Sequence, residues 1–176
     1  MSLIAPKSVR MSSRQMASLL ARFADQIASA APADFVNDIT LARRLVIAKE
    51  GPFVASYAPF DHVNTAARVV IVGITPGKQQ AMTALLQAHR QLKAGRPLEE
   101  VAKAAKETAS FAGPMRPNLI AMLDHVGLNR WLGLPSCSAL FEGRRDLAHY
   151  TSALRYPVYK DGANYAGDAG IVTRPL

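Results

Sequence analysis

The stretch Arg68-Val69-Val70-Ile71-Val72-Gly73-Ile74-Thr75-Pro76-Gly77 constrains the fold more than any other part of this chain. Four successive β-branched residues, Val69 to Val72, predict a central parallel strand buried on both faces. Gly73 and the Pro76-Gly77 pair then force a tight turn, and a helical pattern starts near Lys78. Strand, glycine-bearing turn and helix start together predict a crevice at the carboxyl edge of a sheet. Backbone N–H groups and the helix dipole favour a negative ligand in such a crevice. Thr75 adds a hydroxyl at the tip of the turn. A plain structural turn would have the same outline. The dinucleotide fingerprint G-x-G-x-x-G and the P-loop G-x-x-x-x-G-K-[ST] are both missing, which leaves Lys78 as a point charge for a phosphate.

The flanking segments alternate helical and extended patterns, which points to an α/β fold with a parallel sheet in one domain spanning residues 1–176. Within residues 1–30, Met16, Leu19, Leu20, Phe23 and Ile27 follow helical spacing behind Ser12-Ser13, and Lys7, Arg10, Arg14 and Arg22 make this helix basic. Phe35 to Arg44 reads as helical. Gly51 to Asp61 reads as aromatic and extended or looped. Gln79 to Lys93 is a helix ended by Gly95, and Pro97-Leu98-Glu99-Glu100 opens another that runs to about Ser110. Phe111 to Pro117 reads as a loop too stiff for a helix, Leu119 to His125 as a helix, and Ala148 to Leu154 as a strand.

Composition narrows the chemistry. Lys and Arg number 21 against 13 Asp and Glu, a net charge of +8 that favours a polyanionic partner, nucleic acid first. No apolar run approaches a membrane span, and no signal-peptide core is present, so no membrane partner and a cytoplasmic location are expected. The one cysteine, Cys137, excludes an intrachain disulfide and cysteine-only metal sites, and it reads as a buried structural thiol. His62, His89 and His125 lack metal-site spacing, so neither metal nor cofactor is expected. Asp61-His62 is the best acid–base pair, but neighbours on an extended segment point to opposite faces. Asp124-His125 diverge on a helix, His149 flanks a sheet edge, and Lys103-Ala104-Ala105-Lys106 is most simply a solvated helix face. Tyr159, Asp161, Asn164 and Tyr165 read as a polar–aromatic loop.

Three segments, in order, resemble the uracil-DNA glycosylase superfamily over roughly Val69 to Tyr159. Gly73-Ile74-Thr75-Pro76-Gly77 is similar to that superfamily's first motif, nearest to the mismatch-specific branch. Ser110-Phe111-Ala112-Gly113-Pro114-Met115-Arg116-Pro117-Asn118-Leu119, followed by Met122 to Arg130, resembles a stretch whose phenylalanine stacks on the flipped base. Tyr150-Thr151-Ser152-Ala153-Leu154-Arg155-Tyr156-Pro157 resembles the strand end whose asparagine reads uracil. The resemblance implies a three-layer α/β/α sandwich with a small, mainly parallel sheet, and base-excision hydrolysis of an N-glycosidic bond during DNA repair. It implies DNA as partner, Thr75 at the water-positioning place, and Gly73, Ile74, Pro76 and Gly77 shaping the pocket. Phe111 would stack the base and Ser152 read its edge, while Lys78, Arg116 and Arg155 contact phosphate or product anion.

The departures bear on activity. Threonine at 75 can hydrogen-bond a water but cannot deprotonate it, and serine at 152 cannot copy the bidentate pattern of an amide. No counterpart of the superfamily's C-terminal histidine loop is found, and the chain ends at Leu176 before the usual last strand, so it is expected to be naturally short or a piece of a longer chain. Hydrolysis is therefore expected to be weak or lost. A non-catalytic DNA- or nucleotide-binding relative and an unrelated α/β phosphate-binding enzyme remain the alternatives.

Overall fold

The computed structural model describes residues 13–35 and 44–167 as a mixed α/β arrangement with two small sheets. The first helix, α1 (Ser13–Ser29), buries Leu19, Leu20, Phe23 and Ile27, the apolar stripe that the spacing predicts. A 3₁₀ turn (Pro32–Phe35) follows, and most of the helix expected over Phe35 to Arg44 lies outside the described residues.

The stretch Gly51 to Asp61 supplies the turn and second strand of a hairpin, and Tyr57 to Asp61 follow without strand. β1 (Val46–Glu50) pairs antiparallel with β2 (Phe53–Ser56). Two strands near the C-terminus join the same sheet, β5 (Val158–Lys160) and β6 (Ala163–Asn164), giving the order β1-β2-β5-β6. The expected polar–aromatic loop is thus mostly a second hairpin. Asp161 and Gly162, at φ 51° and 77°, make its turn, and Asp-Gly is among the commonest pairs for a two-residue turn with both φ values positive.

β3 (Val69–Gly73) pairs parallel with β4 (Ala148–Ser152), in register from Val69 opposite Ala148 to Gly73 opposite Ser152. The parallel pairing is as expected; a central place is not, since among the described residues this sheet has two strands, and neither is burial on both faces. Val69 and Ile71 pack inward, whereas Val70 and Val72 are 58% and 60% exposed. An unbroken β-branched run says nothing about which face is covered, and here helices cover one.

The helix α2 (Lys78–Lys93) follows the turn and runs beside α3 (Leu98–Ala109). Ala81, Ala84 and Ala88 of α2 and Ala102, Ala105 and Ala109 of α3 are buried, and side chains this small let two helices approach closely. With α1, Phe35, Leu45, Tyr57 and Phe60 they form one hydrophobic core. α4 (Met115–His125) begins earlier than expected and takes in Arg116 and Pro117, because a first turn has no intrahelical acceptor for its N–H groups and tolerates proline. With α5 (Leu128–Leu132), the inner faces of β3 and β4, Cys137, Leu140 and Phe141, it builds a second core. Asp124 fastens this unit: its carboxylate accepts from Ser136 Oγ at 2.7 Å and from the Cys137 N–H at 2.6 Å.

Candidate functional site

The two cores meet at a cavity of about 420 Å³ on the carboxyl end of β3 and β4. The turn Gly73 to Gly77 forms one wall, with Gly73, Ile74, Thr75, Pro76 and Gly77 all lining it, as the strand-turn-helix pattern predicts. The ladder continues past the strands: Ala153 donates to the Gly73 carbonyl and Leu154 to the Ile74 carbonyl, both at 2.9 Å, so the turn is clamped to the end of β4.

Phe111 and Ser152 reach the same place from distant parts of the chain. A Cβ added to Gly73 would stand 3.5 Å from Ser152 Oγ and 3.8 Å from Phe111 Cε1. The Phe111 ring meets Tyr150 edge-on at 5.8 Å, and Tyr150 stacks on Phe141 at 4.7 Å and donates its hydroxyl to the Leu140 carbonyl. Phe111 is held at φ 53°, a left-handed conformation that a bulky L residue adopts only under constraint from its surroundings.

Thr75 faces the cavity, but its hydroxyl is engaged on both sides. It donates to the Tyr156 carbonyl at 2.9 Å and accepts from the Val158 N–H at 3.0 Å, tying the turn to β5. Its proton is committed, and one lone pair remains for a water or ligand donor.

The three expected anion contacts separate. Arg155 lines the cavity. Lys78 does not: its ammonium lies 5.8 Å from the centre of the Tyr159 ring, and its N–H at the start of α2 is capped by Asn164 Oδ1 at 3.0 Å. Arg116 also lies elsewhere. Its guanidinium donates to the carbonyls of Thr108 and Ser110 at 2.8 and 2.7 Å and covers the Phe141 ring at 4.9 Å, closing the end of α3 instead of facing a ligand. A basic residue beside a glycine-proline loop carries no sequence mark of which way it turns.

Lys106 was the residue least visible in the sequence. It is only 4% exposed and lines the cavity, and its ammonium donates to the His62 carbonyl. Lys103 is on the solvated side as expected, but Lys106 belongs to the stripe Val101, Ala102, Ala105, Ala109, a pattern the helical period already contained. Burial, and then the nearby Arg155, bring its pKa down to about 8, against a smaller opposing pull from Asp61. Asp61 itself receives the hydroxyls of Tyr57 and Tyr156 at 2.7 and 2.6 Å, and burial holds its carboxyl above the usual range despite them. His149, whose Nδ1 accepts from the Asn64 N–H at 3.3 Å, is pushed down to about 4 by burial and by Lys106. The Cys137 thiol is fully buried and pushed up to about 12, as suits an unreactive thiol.

Two cations, Lys106 and Arg155, line the cavity with several hydroxyls and amides, and no Asp or Glu lines it among the described residues. Such a lining donates hydrogen bonds to an acceptor-rich or anionic ligand but offers no carboxylate to take a proton from water. No group of three or more His, Cys, Asp or Glu residues that could hold a metal ion occurs among the described residues, and none of their helices is long and apolar enough to cross a membrane.

No family profile matches the chain, and no solved structure matches it. It is similar to the protein called "Uncharacterized protein YoxB" of Bacillus subtilis (strain 168), with 42% identity over 118 residues that cover 66% of this chain. Those residues make up 46% of YoxB, so the chain spans about half the length of the curated relative it matches.

Proposed function

We propose that this chain is a uracil-DNA glycosylase-like protein that binds DNA and takes a flipped or deaminated base into the cavity at the end of β3 and β4. In this reading the base stacks on Phe111, the Ser152 hydroxyl meets its edge, and Gly73 to Gly77 shape the wall. Arg155 meets a phosphate or the base's negative edge. The α/β fold is then a variant of the three-layer sandwich of that superfamily. The observation that carries the reading is the convergence of three motifs, since Gly73, Phe111 and Ser152 lie about 40 to 80 residues apart in sequence yet meet in one cavity. The net charge of +8 would draw the DNA backbone toward it.

Cleavage of the N-glycosidic bond is weak or lost in this proposal. The Thr75 proton is already donated, and no carboxylate lines the cavity among the described residues, so neither the expected water-positioning residue nor an acidic side chain supplies a base for water. That observation favours the binding-only form of the reading. An unrelated phosphate-binding enzyme is less well supported, because Asn164 occupies the first N–H of α2 and Lys78 sits over Tyr159.

The test is fluorescence anisotropy with single- and double-stranded oligonucleotides, with and without uracil, across a salt series, followed by assay of released uracil. Binding whose logarithm falls linearly with the logarithm of salt, with little or no uracil released, is expected. Absence of DNA affinity at low salt would overturn the reading.

A further inference from the structure

Lys106 has an environment that its part in a helix core does not explain. It is almost wholly buried at a cavity wall, and among the described residues it is in no ion pair within 4.0 Å. The acid whose charge acts on it, Asp61, accepts the hydroxyls of Tyr57 and Tyr156, one on each oxygen. One acceptor, the His62 carbonyl, orients the amine, and Ser110 Oγ donates to the Lys106 carbonyl at 2.7 Å and fixes its turn of helix. A desolvated lysine beside a second cation is the arrangement that turns an ammonium into a nucleophilic amine.

From this geometry we infer that Lys106 condenses with the aldehyde of a phosphorylated deoxysugar held in the cavity, forming an imine. Two sources share that chemistry, an abasic site in DNA and a free deoxyribose phosphate. The abasic-site form rests on the base-binding reading above, and the free-sugar form does not. The aldehyde carbon takes the place next to Lys106, and Arg155 meets the phosphate. A cavity of about 420 Å³ has room for a five-carbon sugar and its phosphate.

The step balances without an oxidant or reductant. The nitrogen lone pair attacks the aldehyde carbon, and the carbonyl π pair moves to oxygen. A proton passes from nitrogen to that oxygen, giving a carbinolamine. Its hydroxyl then leaves as water with the second nitrogen proton, and C=N replaces C=O. Water reverses the reaction. As a neutral amine Lys106 keeps one N–H for the His62 carbonyl while its lone pair is available. With a pKa of about 8, roughly a quarter of it is neutral near pH 7.5, against about 0.1% for an ordinary lysine. The charged and titratable groups around it are Arg155, Asp61, His62 and His149, with Lys103 and Glu107 on its own helix.

The test is borohydride trapping with the full chain. Two aldehydes are offered separately, an abasic oligonucleotide and 2-deoxyribose 5-phosphate, and the adduct is mapped by mass spectrometry. Anisotropy on the same oligonucleotide reports binding independently. A reduced adduct on Lys106 is expected with both, forming faster as pH rises through about 8. Lys106→Met and Lys106→Arg should lose it, with thermal melting to show that they fold; if neither folds, the mapped position in the natural sequence decides alone. Trapping with the free sugar but no DNA affinity would leave the imine standing and refute the base-binding reading. DNA binding with no adduct on Lys106 from either aldehyde would overturn the imine and leave the base-binding reading intact. Adducts spread evenly over surface lysines such as Lys103 would also overturn it, and loss of both binding and trapping would refute both.

Discussion

Replacing Phe111 separates its two roles, as a packing residue and as a stacking surface. Its ring is half-buried and meets one aromatic neighbour edge-on, Tyr150 at 5.8 Å. Phe111→Ala therefore forfeits about 0.5–1.5 kcal/mol of aromatic contact plus part of the about 3–5 kcal/mol that truncating a fully buried ring costs. Its backbone φ of 53° adds a second handle. A left-handed residue with a Cβ is strained by about 1–2 kcal/mol, which glycine relieves, while glycine's freedom in the unfolded chain costs about 0.5–1 kcal/mol. Phe111→Gly should thus be more stable than Phe111→Ala by about 0.5–1 kcal/mol, the reverse of the usual order, as read from urea unfolding. Both should weaken DNA binding by about 1–3 kcal/mol, or about 5- to 150-fold in Kd, if a base stacks on the ring. Phe111→Tyr, which keeps a ring face, should retain affinity. An alanine variant that folds and binds DNA as tightly as the natural sequence would refute the stacking role. A glycine variant less stable than alanine would refute the strain argument.

Three further perturbations test other parts of the site. Arg116→Met should destabilise the fold by about 1–3 kcal/mol, through the carbonyls of Thr108 and Ser110, yet leave DNA affinity and its salt slope unchanged; a shallower slope in anisotropy would return Arg116 to the DNA surface. Asn164→Ala removes the acceptor at the start of α2 and should cost about 0.5–2 kcal/mol in chemical denaturation, with no change signalling that water replaces the cap. Burial raises the Asp61 pKa, so between its unfolded and folded values the unfolded chain releases a proton that the folded chain keeps. Stability should fall as pH rises through that window and level off above it, and Asp61→Asn should flatten this part of the profile in pH-dependent melting.

The helices α1, α2 and α3 were legible because each carries an apolar period, whereas α4 was read only from Leu119 and the short α5 not at all. Val101, Ala102, Ala105 and Ala109 give α3 its period, and Glu99 and Glu100 mark its first turn. The turn Gly73 to Gly77 was legible from an apolar run ended by glycine and proline, and the strand expected over Ala148 to Leu154, ahead of Tyr156-Pro157, is found two residues shorter, at Ala148–Ser152. The antiparallel sheet was not, because β5 and β6 are three and two residues long, too short to show alternation. Their one usable signal was Asp161-Gly162. In the site, residue types and order placed Phe111 and Ser152 correctly at one cavity. They could not tell Arg155, which lines it, from Arg116, which turns away, since a guanidinium's direction depends on where distant carbonyls lie. Lys106, expected on a solvated helix face, is buried because helical phase and not charge decides which side of α3 meets the core.

The placement of the cavity between two cores has a consequence for how the molecule opens. Phe60 belongs to the core of α1, α2 and α3, Tyr150 to that of α4 and α5, and both line the same cavity. Each core is able to loosen as its own cooperative unit, so amide hydrogen exchange in the empty protein should resolve two classes of protection. A ligand that touches both walls is lost whichever unit opens, and its binding free energy then adds to the opening cost of each. Occupancy of the cavity would therefore slow exchange in Leu85 and Leu140 together, although each sits in a different core.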